Sequence, residues 1–145
     1  MKSSNREEII DHNAKKLFDI VLDIESYPYF IPWCSAMKVH SKSENEIYAD
    51  MIVWYKYFMP QKFGSHVQFD KKKLNIKTTY IEGPLKDLKT DWIFKSINKK
   101  QTLINFNVEF EFKRFFHQKI AETFFPLIEN RMIESFKIRA DEMLD

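Results

Sequence analysis

Few side chains in this 145-residue sequence stand at a spacing that bond-making chemistry needs. Cys34 is the single thiol. An active thiolate needs a neighbouring base or a helix N-terminus to lower its pKa, and no histidine lies close to Cys34 in sequence, so it reads as structural. The four histidines, His12, His40, His66 and His117, lie far apart with no paired spacing, so no metal site is expected. Glu109 and Glu111 are two apart, share one face of a strand, and have the residue type of an acid/base pair. They alternate with Phe106, Val108 and Phe110, however, which places them on the wet face. No catalytic residue and no catalytic cofactor is expected, and the chain is not read as an enzyme. The hydroxyl and indole donors Ser65, Thr78, Tyr80, Thr90 and Trp92 fall instead on apolar faces. There they either meet a ligand in an apolar cavity or bond backbone inside a packed core; the sequence leaves both open.

The elements that must position these groups follow from periodicity. Residues 4–10 predict a short first strand. Asn13 is an N-cap candidate, after which Leu17, Ile20, Val21 and Ile24 recur at helical spacing. That helix is expected to stop before Tyr27-Pro28, since the residue before proline is driven from α geometry. Two-residue alternation then predicts strands around Met37 and Val39, and over 47–55, 63–69, 74–80, 88–94 and 102–112. From about Arg114 the period becomes helical, with Phe116, Ile120, Phe124, Ile128, Met132, Phe136, Ala140 and Met143 as the stripe and Pro126 expected to kink it. The order predicts one α+β domain over 1–145: a curved antiparallel sheet of six or seven strands around a long C-terminal helix, with short helices after the first strand.

Composition narrows the classes. Only Gly64 and Gly83 are glycines, which excludes a glycine-rich phosphate loop. One cysteine allows no internal disulfide and no cysteine-based metal cluster. The polar start, Met1 to Glu8, is no secretory signal, and no apolar run is long enough to cross a bilayer, so a cytoplasmic protein is expected. Net charge is +2, and only four of the 23 basic residues are arginine, against DNA as a partner. Aromatic residues reach 16%, more wide apolar surface than a core of this size needs, so a cavity between sheet and helix is expected.

Four segments carry a resemblance. They are the first helix running into Tyr27-Pro28-Tyr29-Phe30-Ile31-Pro32-Trp33-Cys34, then Tyr80 to Leu88 followed by Trp92-Ile93-Phe94, then Ile104 to Phe112, and the closing helix with Arg131-Met132 and Phe136. In that order and spacing, along nearly the whole chain, the sequence resembles the coenzyme Q-binding family of START-like helix-grip proteins. That family lies within the polyketide cyclase/dehydrase and lipid transport superfamily, which also includes the bacterial ribosome association toxin. Pro-Trp-Cys in the connector resembles the quinone-binding branch; toxin-like members usually carry Gly before the Cys. The Tyr55–Pro60 hairpin, longer and more aromatic than usual, and Pro126 depart from the family pattern.

The resemblance implies a helix-grip fold and a carrier of ubiquinone or a related isoprenoid lipid that supports respiratory electron transport. The alternative it implies is a protein that binds the large ribosomal subunit. The expected ligand-lining residues are Tyr27, Phe30 and Trp33 of the connector, Met51, Val53, Phe63, Ser65, Val67, Thr78, Tyr80, Trp92, Phe94, Phe106 and Phe110 of the strands, and Phe124, Ile128, Met132 and Phe136 of the last helix. The connector is either a gate over the cavity or a plug of the core. Tyr57, Phe58 and Met59, apolar for a hairpin tip, are expected to touch the inner-membrane surface peripherally.

Overall fold

The computed structural model describes residues 2–54, 60–112 and 115–144, with side chains described throughout these except at 2, 112, 115–125 and 128. Strand β1 (Lys2–Ile10) leads through Asp11 and His12 to helix α1 (Ala14–Leu22). Asn13 caps α1 as its residue type predicts: its side-chain oxygen accepts the backbone N–H groups of Lys15 and Lys16 at 3.0 and 3.2 Å. The helix ends at Leu22, earlier than expected, and a 3-10 turn (Ile24–Tyr29) follows. Ser26 donates to the Asp23 carboxylate at 2.6 Å, a local bond that competes with helix continuation. Pro28 sits inside the turn, where its missing N–H costs little.

Six strands follow: β2 (Cys34–Lys42), β3 (Glu46–Val53), β4 (Gln61–Asp70), β5 (Asn75–Glu82), β6 (Leu85–Asn98) and β7 (Gln101–Phe112). With β1 they make one antiparallel sheet in the order β1-β7-β6-β5-β4-β3-β2. Helix α2 (Phe115–Met143) closes the chain, with Pro126 inside it. The parity expected of β7 holds. Ile104, Phe106, Val108 and Phe110 are buried; Asn107 and Glu109 are exposed and Glu111 is half-buried. Register is specified this sharply because a one-residue slip would reverse every side chain.

Three further details differ from expectation. Leu74 does not open β5; it closes the preceding turn with φ 55°, while Asp70 accepts the N–H groups of Lys72 and Lys73 at 2.9 and 3.0 Å. Strand β6 runs four residues further than predicted, because β7 supplies a partner out to Asn98↔Gln101 after β5 has ended. On α2 the expected stripe drifts. A repeated step of four overshoots a turn by ~40°, so Met143 is exposed while Glu129 and Ile133 join Phe136 and Ala140 on the buried side.

Antiparallel order gives the sheet two chemically different ends. The 43–45, 71–74 and 99–100 turns lie at one end, with Lys71, Lys72, Lys73, Lys99 and Lys100. Trp33, Trp54 and the Gly83-Pro84 turn lie at the other.

Candidate functional site

The inner face of the sheet divides in two. On the β6–β7 side it is sealed. Trp92, Phe94, Phe106 and Phe110 are buried there, and Trp92 lies 4.4 Å from the Phe106 ring centroid and 5.4 Å from that of Phe136. Phe94 meets Phe18 of α1 edge-on at 5.8 Å. Val67 is buried in the same core. The space left among Ile10, Leu17, Val21, Trp92, Ile104, Ile133 and Phe136 is about 10 Å³, room for about one water. On β3–β5 the inner residues nearer the 43–45 and 71–74 turns, Ile47, Ala49, Phe69 and Ile76, are buried, whereas Met51, Val53, Phe63, Ser65, Thr78 and Tyr80, toward the other end, are only half-buried, as is Met132 of α2. The side chains of Phe124 and Ile128, and the segment containing Tyr57, Phe58 and Met59, lie outside the described residues.

The connector is anchored at its start. The Tyr27 hydroxyl donates to the Val21 carbonyl, and burial pushes that phenol far above its ordinary range. Tyr27, Phe30 and Phe136 meet edge-to-face with centroids 5.3–5.9 Å apart, and the Arg139 guanidinium lies 5.1 Å over the Phe30 ring. Tyr27 and Phe30, both half-buried, therefore pack against the core at Phe136. Trp33 differs. Its carbonyl accepts the backbone N–H of Trp54 at 3.0 Å, but its own indole N–H is buried with no hydrogen-bond partner. A buried donor left unpaired costs ~1–3 kcal/mol.

One expected donor is already used. The Tyr80 hydroxyl donates to the Leu85 carbonyl and accepts the Leu85 N–H, both at 2.9 Å, so it ties the Gly83-Pro84 turn instead of facing a ligand. Cys34 is buried, its thiol 3.8 Å from the Ala36 carbonyl, and burial pushes its pKa up to about 11. A protonated thiol at neutral pH is no nucleophile. Among the described residues no group of three metal-ligating side chains converges.

The sequence reading missed a polar seam between β1 and α2. Ser4 donates to one oxygen of Glu129 at 3.2 Å, and Arg6 lies 3.8 Å from that same oxygen. Arg6 also bonds Asn130 and, at 2.7 Å, Glu8; Lys137 reaches Glu8 at 3.0 Å. Glu129 is 6% exposed and its second oxygen has no partner. Burial raises its pKa, with Ser4 and Arg6 opposing. The available signal was a carboxylate four residues before Ile133 on the buried side of a helix; the unpaired Trp33 indole leaves no trace in sequence.

With this geometry in hand, the polyketide cyclase / dehydrase and lipid transport family matches residues 10–137. The ribosome association toxin RatA of Rickettsia prowazekii is 31% identical over 99% of both chains. The mitochondrial coenzyme Q-binding protein COQ10 of Drosophila melanogaster is 28% identical over 90% of this chain and 55% of its own length. A START superfamily protein from Mycobacterium smegmatis superposes with a TM-score of 0.86 at 13% identity, covering 98% of this chain and 99% of that one.

Proposed function

Because the chain belongs to the polyketide cyclase / dehydrase and lipid transport family, we propose that it binds an isoprenoid quinone of the ubiquinone type between sheet and helix. It carries that lipid without making or breaking bonds. The observation that supports this reading is the buried, unpartnered indole N–H of Trp33, at the Val53 end of a half-buried apolar inner face. A quinone head offers only oxygen acceptors, which such a donor satisfies. Its tail needs only apolar surface, worth ~25 cal/mol per Å² buried. Met51, Val53, Phe63 and Met132 present that surface, with Ser65 and Thr78 as the other donors on it. The name of the coenzyme Q-binding relative points the same way.

Mass spectrometry of an organic extract of the purified protein tests this. Isoprenoid quinone is expected well above the level carried by an unrelated protein from the same lysate, and Trp33→Phe should reduce it. Its absence from the wild-type extract would end the proposal. A second reading, binding to the ribosome, at its large subunit, is favoured by the name of a relative that matches this chain end to end, a ribosome association toxin. Sucrose-gradient sedimentation with ribosomal subunits decides it: the carrier reading expects no co-migration.

A further inference from the structure

We propose that the outer face of the β6–β7 hairpin, together with the end of β1, is a docking surface for an anionic phospholipid bilayer. Strand β5 begins at Asn75 opposite Ile93, and the Leu74 carbonyl takes the Phe94 N–H. Lys95–Asn98 therefore project past β5, by ~14 Å at ~3.4 Å per residue, paired only with β7. The inner face of this projection is occupied: Thr102 is fully buried and donates to the His12 carbonyl at 2.7 Å, and Asn13 reaches the Lys99 carbonyl at 3.2 Å.

Its outer face is apolar where a free turn would be polar. Ile9 is 59% exposed, Ile97 51% and Ile93 39%. Half-buried Leu103 joins them, since Ile9, Leu103 and Lys95 occupy one row across β1, β7 and β6. Aliphatic side chains gathered in this way on a projecting edge mark a contact surface.

The charge around them is mainly positive. Lys95, Lys99 and Lys100 rim the patch, and no carboxylate pairs with any of them among the described residues. Lys71, Lys72 and Lys73 stand exposed on the neighbouring turn at the same end. Of the nearby acids, Asp11 accepts from Gln101 at 3.0 Å and Glu7 from Asn105 at 3.3 Å, while Asp70, which caps its own turn, and exposed Glu44 stand beside Lys71 and Lys72; the lysines outnumber them. A chain with a net charge of only +2 thus gathers six lysines at one end. Lysines alone would suit any phosphate polymer. Isoleucines set among them favour lipid, because the headgroup zone takes both charges and apolar side chains. The surface lies on the outer side of the sheet and stands whether or not the inner face holds a lipid.

Co-sedimentation of the whole protein with phosphatidylcholine vesicles, with and without phosphatidylglycerol, tests the proposal. Binding is expected only with the anionic lipid and should weaken in high salt. Lys99→Glu with Lys100→Glu should lower it by roughly tenfold or more. Ile97→Ser, which leaves charge unchanged, should lower it several-fold. Circular dichroism checks that both variants fold. Independently, a polarity-sensitive dye on Ile97→Cys should shift to the blue with anionic vesicles, Cys34 being buried and unlabelled. Equal binding to both vesicles, or none, overturns the proposal. So does loss of binding on lysine reversal with none on Ile97→Ser, or a lysine reversal that weakens association with ribosomal subunits and not with vesicles.

Discussion

Glu129 and Glu8 line the same seam between β1 and α2, yet their surroundings shift them in opposite directions. Glu129 is raised, chiefly by burial. A raised carboxyl contributes stability that is fully present below its unfolded pKa and lost as pH rises through the folded value. At neutral pH, then, Glu129 works against folding, as a buried charge with one unpaired oxygen should. Glu129→Gln keeps the shape and the acceptor for Ser4. We expect it to stabilise the protein by ~1–3 kcal/mol near pH 7 and by little below about pH 4, under the unfolded carboxyl pKa. Thermal melts at the two pH values check this, and a variant less stable than wild type at pH 7 would refute it. Glu8 is lowered, first by its hydrogen bond to Lys137, with burial opposing and Arg6 adding. Its contribution is present above the unfolded pKa and lost as pH falls, so Glu8→Gln should cost about 0.5–1 kcal/mol at neutral pH and nothing in acid. Cys34, held up at about 11, is protonated near pH 7. Its thiol should resist disulfide reagents in the native protein and react in denaturant, and Cys34→Ser should leave ligand binding within a few-fold.

Elements were legible where a period repeats. The β7 alternation, the Asn13 cap and the helical turn of period after residue 114 each follow from residue type and spacing. What the sequence hid lies in tertiary choices. The extent of β6 depends on where β5 stops. The end of α1 depends on a side-chain bond at Asp23. The use of Tyr80 depends on a turn folding back onto it. At the candidate site, the inner-facing residues could be read from strand parity; which of them remain half-open could not, because burial is set by what α1 and α2 cover. The β5–β6 turn gives a test at this scale. Gly83 has φ 148°, and a Cβ there would stand 2.7 Å from the Lys62 carbonyl and 3.0 Å from the Tyr80 hydroxyl. Gly83→Ala should destabilise by ~1–3 kcal/mol. Tyr80→Phe removes two backbone bonds and should cost ~1–3 kcal/mol, with retained lipid unchanged. A loss of ligand with Tyr80→Phe at unaltered stability would return its hydroxyl to the ligand site.

In the proposed carrier, one sheet serves two tasks that conflict. Holding the fold together needs a dry, filled interior, whereas holding a lipid needs an interior left partly unfilled. The chain separates them in space. The β6–β7 side, closed by α1 and the C-terminal part of α2, packs Trp92, Phe94, Phe106 and Phe136 with room for about one water beside them. Strands β3–β5, buried at Ile47, Ala49, Val67, Phe69 and Ile76, keep Met51, Phe63, Ser65 and Thr78 half-buried toward the Trp33 and Gly83 end. A bulky substitution should therefore read out differently on the two sides. Val108 is buried, and Val108→Trp forces extra volume into a filled space; it should lower stability by ~1–3 kcal/mol or more. Ser65→Trp places the same ring on the half-open side, where it should leave the melting temperature nearly unchanged and displace the bound lipid. Melting curves and lipid extracts of the two variants, measured side by side, test the division. If Ser65→Trp destabilises as much as Val108→Trp, the inner face is one continuous packed core, and a lipid would need the helix to lift before it could enter.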